Sequence, residues 1–246
     1  MKREFDVALY GHMSYDTIFE DGKLSTSVGC MGNVWKELVR KRSNIRIHLS
    51  PTNVGQSLIL VDKWQSRRTS VSSLNDEIYP ALIQPAKISH VLYLNELDNY
   101  DTLDMLEEIK ANSDIVMADV CNGAKFTFND PRWEFIDILL ISEEDYHLAK
   151  ADTSNFKYLN YLLVHNSTGS ALFDTSSDND PIRFTAERVD QVNVLGIGDM
   201  FAAGIIHYIL MGDDLNTSIQ STHDGLTSYL KTVQPDFTDR WECPKI

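Results

Sequence analysis

HVLYLNELDNYDTLDMLEEIKANSDIVMAD, residues 90–119, is the stretch that decides the fold class. A short apolar run opens it, an amphipathic run follows, and a second short apolar run closes it. The same rhythm continues with FIDILLIS (135–142) as strand, EEDYHLAK (143–150) as helix and YLLVHN (161–166) as strand. Short apolar strands alternating with amphipathic helices predict parallel βαβ units, with helices on both faces of one sheet. Ligands of such sheets lie beyond the carboxyl ends of the strands. Polar residues that follow strands are therefore the first candidates: 11–16, Asn95, 119–122, 142–145 and 165–169.

Working outward, FDVALY (5–10) reads as a buried strand and NVWKELVRKR (33–42) as a helix. QSLILVD (56–62) and RRTSVSS (67–73) read as an extended pair. In the last third, SALFD (170–174) and IRFTA (182–186) read as two short strands around a polar turn. MFAAGIIHYILM (200–211) reads as a buried helix, a second helix covers about 215–233, and the tail is irregular. No repeat, low-complexity tract or linker interrupts the chain, so one domain over 1–246 is expected.

The 246 residues are 43% hydrophobic and 24% charged, enough for a full core. A net charge of -14 and a pI near 4.8 repel nucleic acid and anionic membrane, so neither is an expected partner. A phosphate ligand must be held locally, by backbone N–H groups at a helix start, by a divalent metal or by placed cations. Cys30, Cys121 and Cys243 form no Cys-x-x-Cys pair, which argues against a zinc site or disulfide scaffold and fits a reducing cytoplasm. The opening MKREFDVALYGH reads as a strand rather than a signal peptide, and the apolar run 200–211 is too short to span a bilayer.

The chemistry concentrates in NVLGIGDMFAAG, residues 193–204. Gly and Asp at a helix entry suit simple capping. They also suit a phosphate site, because Gly196-Ile197-Gly198 can turn successive N–H groups into one concavity at a positive helix end, with Asp199 beside an incoming hydroxyl.

This stretch resembles the C-terminal signature of the ribokinase-like, or PfkB-type, carbohydrate and nucleoside kinases, approximately Asp-Thr-x-Gly-Ala-Gly-Asp-x-Phe-x-x-Gly. Both glycines, Asp199, Phe201 and Gly204 match. Gly11-His12-Met13-Ser14-Tyr15-Asp16 is similar to the family's strand-Gly-x-x-x-x-Asp, and Val28-Gly29-Cys30-Met31-Gly32-Asn33 to its Gly-Gly-x-x-x-Asn. The resemblance covers nearly the whole chain in order, strongly at the ends and loosely in the middle. It implies a three-layer α/β/α sandwich with a mainly parallel sheet and a β lid, here reduced to about 17–28 and 56–73. The family's Gly-x-Asp-x-x-Gly segment is missing.

The resemblance further implies ATP and Mg²⁺ as cofactors and transfer of the γ-phosphoryl group to a hydroxyl of a sugar or nucleoside. Asp199 would accept the hydroxyl proton, with Gly196, Ile197 and Gly198 forming the anion cradle. Ser14, Asp16, Gly29 and Asn33 would bind the acceptor, Gly29 by letting the backbone approach the sugar. Ser142 and Asp145 stand where the family has Asn-x-x-Glu, which organises Mg²⁺ and the phosphates, so Asp145 is the metal candidate. His165 and Gly169 fall in the nucleotide-side turn. Asn193 replaces an Asp of the signature, which removes a charged ligand from the monovalent-cation site of some members. Lids often make the dimer contact in this family, which leaves a homodimer open.

The altered Asn193, Ser142 and His165 support an alternative: a weak or inactive ribokinase-like regulator that binds nucleotide or sugar. Asp119 and Asn122 in ADVCNG follow a strand, and turn chemistry is preferred for them over a place in the cleft. Neither a Gly-Lys-Ser/Thr loop nor a Gly-x-Gly-x-x-Gly after the first strand is present, which disfavours other nucleotide-binding α/β proteins.

Overall fold

Val7, Ala8, Leu9 and Tyr10 are all fully buried, so the strand carrying them is covered on both faces. Val7 and Leu9 enter one core, Ala8 and Tyr10 the other, as the two-residue period of a strand requires. In the computed structural model, which describes residues 3–62, 67–73, 80–94, 101–120, 131–148, 158–177, 179–190, 192 and 194–232, this strand is β1 (Phe5–Glu20).

The described residues contain nine further strands: β2 (Lys23–Cys30), β3 (Ile47–Asp62), β4 (Arg67–Ser73), β5 (Ala86–Leu92), β6 (Ser113–Val120), β7 (Ile138–Ser142), β8 (Tyr161–Asn166), β9 (Gly169–Asp174) and β10 (Ile182–Thr185). The helices are α1 (Met31–Lys41), α2 (Asp101–Ala111), α3 (Glu143–Leu148), α4 (Ile197–Met211) and α5 (Leu215–Thr232). The sheet order is β10-β9-β8-β7-β6-β5-β1-β3-β4, with β2 beside β1. Pairs from β3 through β1 to β8 are parallel, and β2, β4, β9 and β10 join antiparallel.

One core lies under α1, α4 and α5, built on Met31, Val34, Leu38, Phe201, Ile205 and Ile219. The other lies under α2 and a 3-10 turn over Pro131–Phe135, built on Leu106, Ile109, Trp133 and Ile136. The result is the expected three-layer α/β/α arrangement around a mainly parallel sheet.

Three boundaries differ from the sequence reading. β1 does not end at Tyr10 but runs on to Glu20, because β2 and β3 supply partners to residues 13–19 on both sides. A register slip between Gly11 and His12 absorbs the change from two-sided to one-sided burial. β5 stops at Leu92 rather than Asn95, where Tyr93 turns left-handed with φ 55. β7 starts at Ile138 rather than Phe135: the 3-10 turn takes the preceding residues, and the Asp137 carboxylate accepts the Val116 N–H at 2.8 Å.

The stretches read as lid continue the sheet outward. Residues 17–20 and 23–28 form a hairpin through Asp21 and Gly22, and β3 pairs β4 from Gln56 to Asp62.

Candidate active site

α4 begins just after Gly196, which is left-handed (φ 74, ψ 8), and no side chain caps it. A Cβ at Gly196 would stand 2.9 Å from Asn33 Nδ2, so the entry needs glycine for conformation and for space. Asp199 lies in the first turn and is only 6% exposed. Its Oδ2 accepts a hydrogen bond from Asn33 Nδ2 at 2.8 Å, and its Oδ1 accepts one from the Tyr93 hydroxyl at 3.3 Å. The carboxylate is therefore turned across the sheet edge rather than back onto its own helix start. It borders a cavity of about 310 Å³, together with Gly196, Ile197 and Gly198.

On one side of Asp199 stand the residues expected to meet the acceptor. Ser14 and Asp16 are buried on the same face of β1, opposite Gly29 and Ser27 of β2. A Cβ at Gly29 would collide with the Asp16 carboxylate and the Ser14 hydroxyl. Glycine here makes room for two polar side chains, whereas the expectation gave it to close approach of a sugar. Asp16 Oδ1 is buried with no hydrogen-bond partner among the described residues, a costly arrangement for a carboxylate and one that a ligand hydroxyl would relieve. Cys30, at the start of α1, has φ 53 and lies with its sulfur 3.7 Å from Ser14 Oγ. Burial and the nearby Asp199 carboxylate push its thiol pKa far up, so it stays a neutral thiol.

On the other side lie the phosphate and nucleotide candidates. The Ser142 hydroxyl accepts the Asp145 N–H at 3.0 Å and donates to Asp145 Oδ2 at 2.8 Å, capping α3 while aiming that carboxylate along the cavity wall. Asp119, at the end of β6, borders the same cavity; burial and the charges of Asp199 and Asp145 push its carboxyl well above the usual range. His165 is held neutral, its pKa pushed down to about 4 by loss of water around the ring and by neighbouring His223. A second cavity of about 280 Å³ adjoins the first, shares Ser142, His165, Ile197 and Gly198, and is walled by Val189, Val192, Val194 and Leu226. The Phe201 ring packs between His165 and His223, with centroids 5.1 and 4.8 Å away.

Several expected residues stand apart from both cavities: Ser14, Asp16 and Gly29 line neither, and Asn33 lines a third with Lys36, Gly196 and Met200. Gly169 borders neither cavity: it opens β9 with φ 147, and a Cβ there would fall on the Phe184 carbonyl oxygen, so its missing side chain serves the β9–β10 pairing. Asn193 lies outside the described residues.

Among the described residues no three His, Cys, Asp or Glu side chains converge to hold a metal unaided. The donors along the cavity, Asp119, Glu144 and Asp145, are oxygen ligands, which suits a hard cation shared with phosphate and water rather than a closed protein cage.

No protein-family model matches the sequence, and no curated protein matches it. Solved structures do. A nucleoside kinase of Methanocaldococcus jannaschii, an archaeal member of the ribokinase family, superposes with a TM-score of 0.66 at 13% identity, over 95% of each chain. A Burkholderia thailandensis nucleoside kinase in complex with ADP and inosine gives 0.65 at 14% identity, over 93% of this chain and 92% of that one. A fructokinase of Xylella fastidiosa with bound ATP gives 0.58 at 17% identity, over 93% and 89%. The chain has a ribokinase-like fold. That ribokinase-like frame, with its strand order and end-to-end coverage, accounts for residues 11–16, 28–33 and 194–204 meeting at one sheet edge.

The sequence reading passed over two residues of this cleft and preferred another role for a third. Asp119 was given to turn chemistry, although it stands at the carboxyl end of a buried strand, where a ligand-facing residue belongs. His223 left no motif; it reaches the cleft because α5 packs along α4 and Ser170 Oγ pairs with its Nε2 at 2.8 Å. Tyr93 is singled out only by its left-handed backbone, which sequence does not display.

Proposed function

We propose that this chain transfers the γ-phosphoryl group of ATP to a hydroxyl of a sugar or nucleoside. The observation that carries the reading is the placement of Asp199: a nearly buried carboxylate on the first turn of an uncapped helix, bordering a cavity that opens into a second, apolar one. An ordinary helix-capping Asp would fold back onto backbone N–H groups, whereas both oxygens of Asp199 reach out to Asn33 and Tyr93. The neighbours support the reading, since two of them are kinases solved with adenine nucleotides.

In this mechanism Asp199 accepts the proton of the acceptor hydroxyl as its oxygen bonds to phosphorus. A carboxylate beside a positive helix end is a weak base, so proton transfer comes late and placement outweighs basicity. The Gly198 N–H faces the charge that builds on the transferring group, whereas that of Ile197 donates to the Val194 carbonyl oxygen at 3.3 Å. Ser14 and Asp16 hold further hydroxyls of the acceptor. The apolar cavity beside Phe201 takes the base of the nucleotide, with His165 as a neutral contact. Asp145, with Asp119 beside it, would hold Mg²⁺, which when bound offsets phosphate charge.

The deciding experiment measures ADP release with Mg²⁺ and ATP over ribose, fructose, adenosine and inosine. Acceptor-dependent release is expected. Nucleotide or sugar binding without release would replace the kinase with a regulator of the same fold.

Residues 1–246 form one domain in this proposal, with 17–28 and 56–73 closing over the acceptor. The outer face of these strands carries Tyr15, Phe19, Leu24, Leu58 and Leu60, all exposed and brought together by the pairings Phe19 with Leu24 and Leu60 and Thr17 with Leu58. An exposed apolar face of this kind marks an association surface, and we assign it to a homodimer. Sedimentation velocity should find a dimer in the native protein and a monomer in Phe19→Glu; a monomeric native protein removes the assignment.

A further inference from the structure

We infer that Tyr93 is a positioning residue for Asp199, holding one carboxylate oxygen throughout the reaction while Asn33 releases the other to the acceptor hydroxyl. The inference rests on the kinase reading above and adds to it a side chain from a different part of the sheet edge.

The phenol is placed by its surroundings. β5 closes against β1 where Gly11, at φ 110, lets the backbones meet: a Cβ there would fall on the Leu92 carbonyl oxygen. The next residue, Tyr93, is one of only three non-glycine residues with positive φ among those described, and Cys30 is another. Such conformations are strained and persist only where the surroundings fix them. The His12 ring packs against the Tyr93 ring at 5.9 Å, and the Cys30 thiol lies within hydrogen-bonding reach of the hydroxyl. Two strained backbones thus converge beside one carboxylate.

The two donors on Asp199 differ in what they can give up. Asn33 sits in the first turn of α1 against Gly196 and lines a cavity with Gly196 and Met200, so an arriving hydroxyl can take over its amide. Tyr93 follows the end of β5 and donates to the other oxygen, Oδ1, with its ring fixed against His12 and its hydroxyl also within reach of the Cys30 thiol. When Asn33 turns to the acceptor, the hydroxyl O–H points at Oδ2. The O–H bond then breaks, its proton passes to Oδ2, the hydroxyl oxygen bonds to the γ-phosphorus, and the bond to the β,γ-bridging oxygen breaks with its electron pair leaving on ADP. Through these events the Tyr93 hydroxyl keeps the carboxylate plane from rotating. It also stabilises the ionised form, since a donor to a carboxylate favours the anion.

The test is Tyr93→Phe, which keeps the ring and its packing on His12, studied in the full chain. With Mg²⁺ and ATP and whichever of ribose, fructose, adenosine or inosine gives the fastest ADP release, kcat should fall about 10-fold. Both KM values should stay within about 2-fold, and the acid side of the kcat profile should move to higher pH. In the ligand-free protein, carbon-13 NMR of the side-chain carboxyls, with Asp199 assigned through Asp199→Asn, should show its titration displaced to higher pH in Tyr93→Phe. An unchanged Asp199 titration and an unchanged kcat profile overturn the inference even if the native chain is an active kinase. No acceptor-dependent ADP release from the native chain, with the titration still displaced, overturns the kinase reading and leaves the Tyr93–Asp199 link standing.

Discussion

Of the helix starts that carry an aspartate, those of α5 and α4 use it in opposite ways. At α5, Asp214 Oδ1 accepts the Thr217 N–H and Oδ2 accepts the Thr217 hydroxyl, both at 2.9 Å, so the side chain closes the helix end. At α4 the cap position is Gly196, no side chain closes the end, and Asp199 is turned away to Asn33 and Tyr93. A capped start gains local stability. An uncapped one keeps its N–H groups and partial positive charge for something from outside. The contrast supports the second of the two uses of Gly-x-Gly-Asp at the α4 entry: no side-chain cap hydrogen bond closes it, and the Asp199 carboxylate meets Asn33 and Tyr93.

Substitutions at the two starts should therefore separate activity from stability. Asp199→Asn should lower kcat for acceptor-dependent ADP release by on the order of 10²-fold or more with an unchanged Tm; near-native turnover would erase the distinction. Acid should weaken the region around the α4 entry. His165 and His223 have pKa values pushed down to about 4 from an ordinary 6.5, and burial is the leading cause for both. The unfolded chain binds protons there that the folded chain refuses, so this contribution is complete above pH 6.5 and is lost as pH falls toward 4. For each ring the loss is roughly 3 kcal/mol, and denaturant titrations between these pH values should show it shrink in His223→Gln.

Gly196→Ala forces a side chain into a left-handed backbone and against Asn33, at a cost of about 1–2 kcal/mol. It should also reduce turnover several-fold, because the Asn33 amide is displaced from Asp199; both are read from one preparation by thermal unfolding and ADP release. The smallest effect belongs to the capped start. Asp214→Ala should lower Tm slightly and leave kcat untouched. The ordinary carboxylate pKa of Asp214 is itself lowered by the Thr217 backbone hydrogen bond, so its stabilisation is present at neutral pH and fades in acid.

The alternation of buried strands with amphipathic helices was enough to read the sheet, its parallel character and the edge where ligands belong, because two-sided burial leaves a plain apolar signature in β5 to β8. The Asp199 loop was legible for the same reason, lying just before an apolar run. What sequence could not display are effects that arise from contact. Asn33 and Asp199 are 166 positions apart and meet only once the sheet closes. Tyr93 depends on a glycine in another strand, and the partnerless Asp16 oxygen on which side chains surround it. The half-polar stretch Gly11 to Asp16 reads as residues beyond the end of a strand, because nothing local tells it that β2 and β3 will pair with it.

That unbroken β1 has a mechanical consequence. Its first half is clamped in the double core and its second half carries Ser14, Asp16 and the outer hairpin, with the register slip at Gly11/His12 between them. Load on the outer strands is therefore delivered along a single beam to the register slip, beside the His12–Tyr93 ring contact.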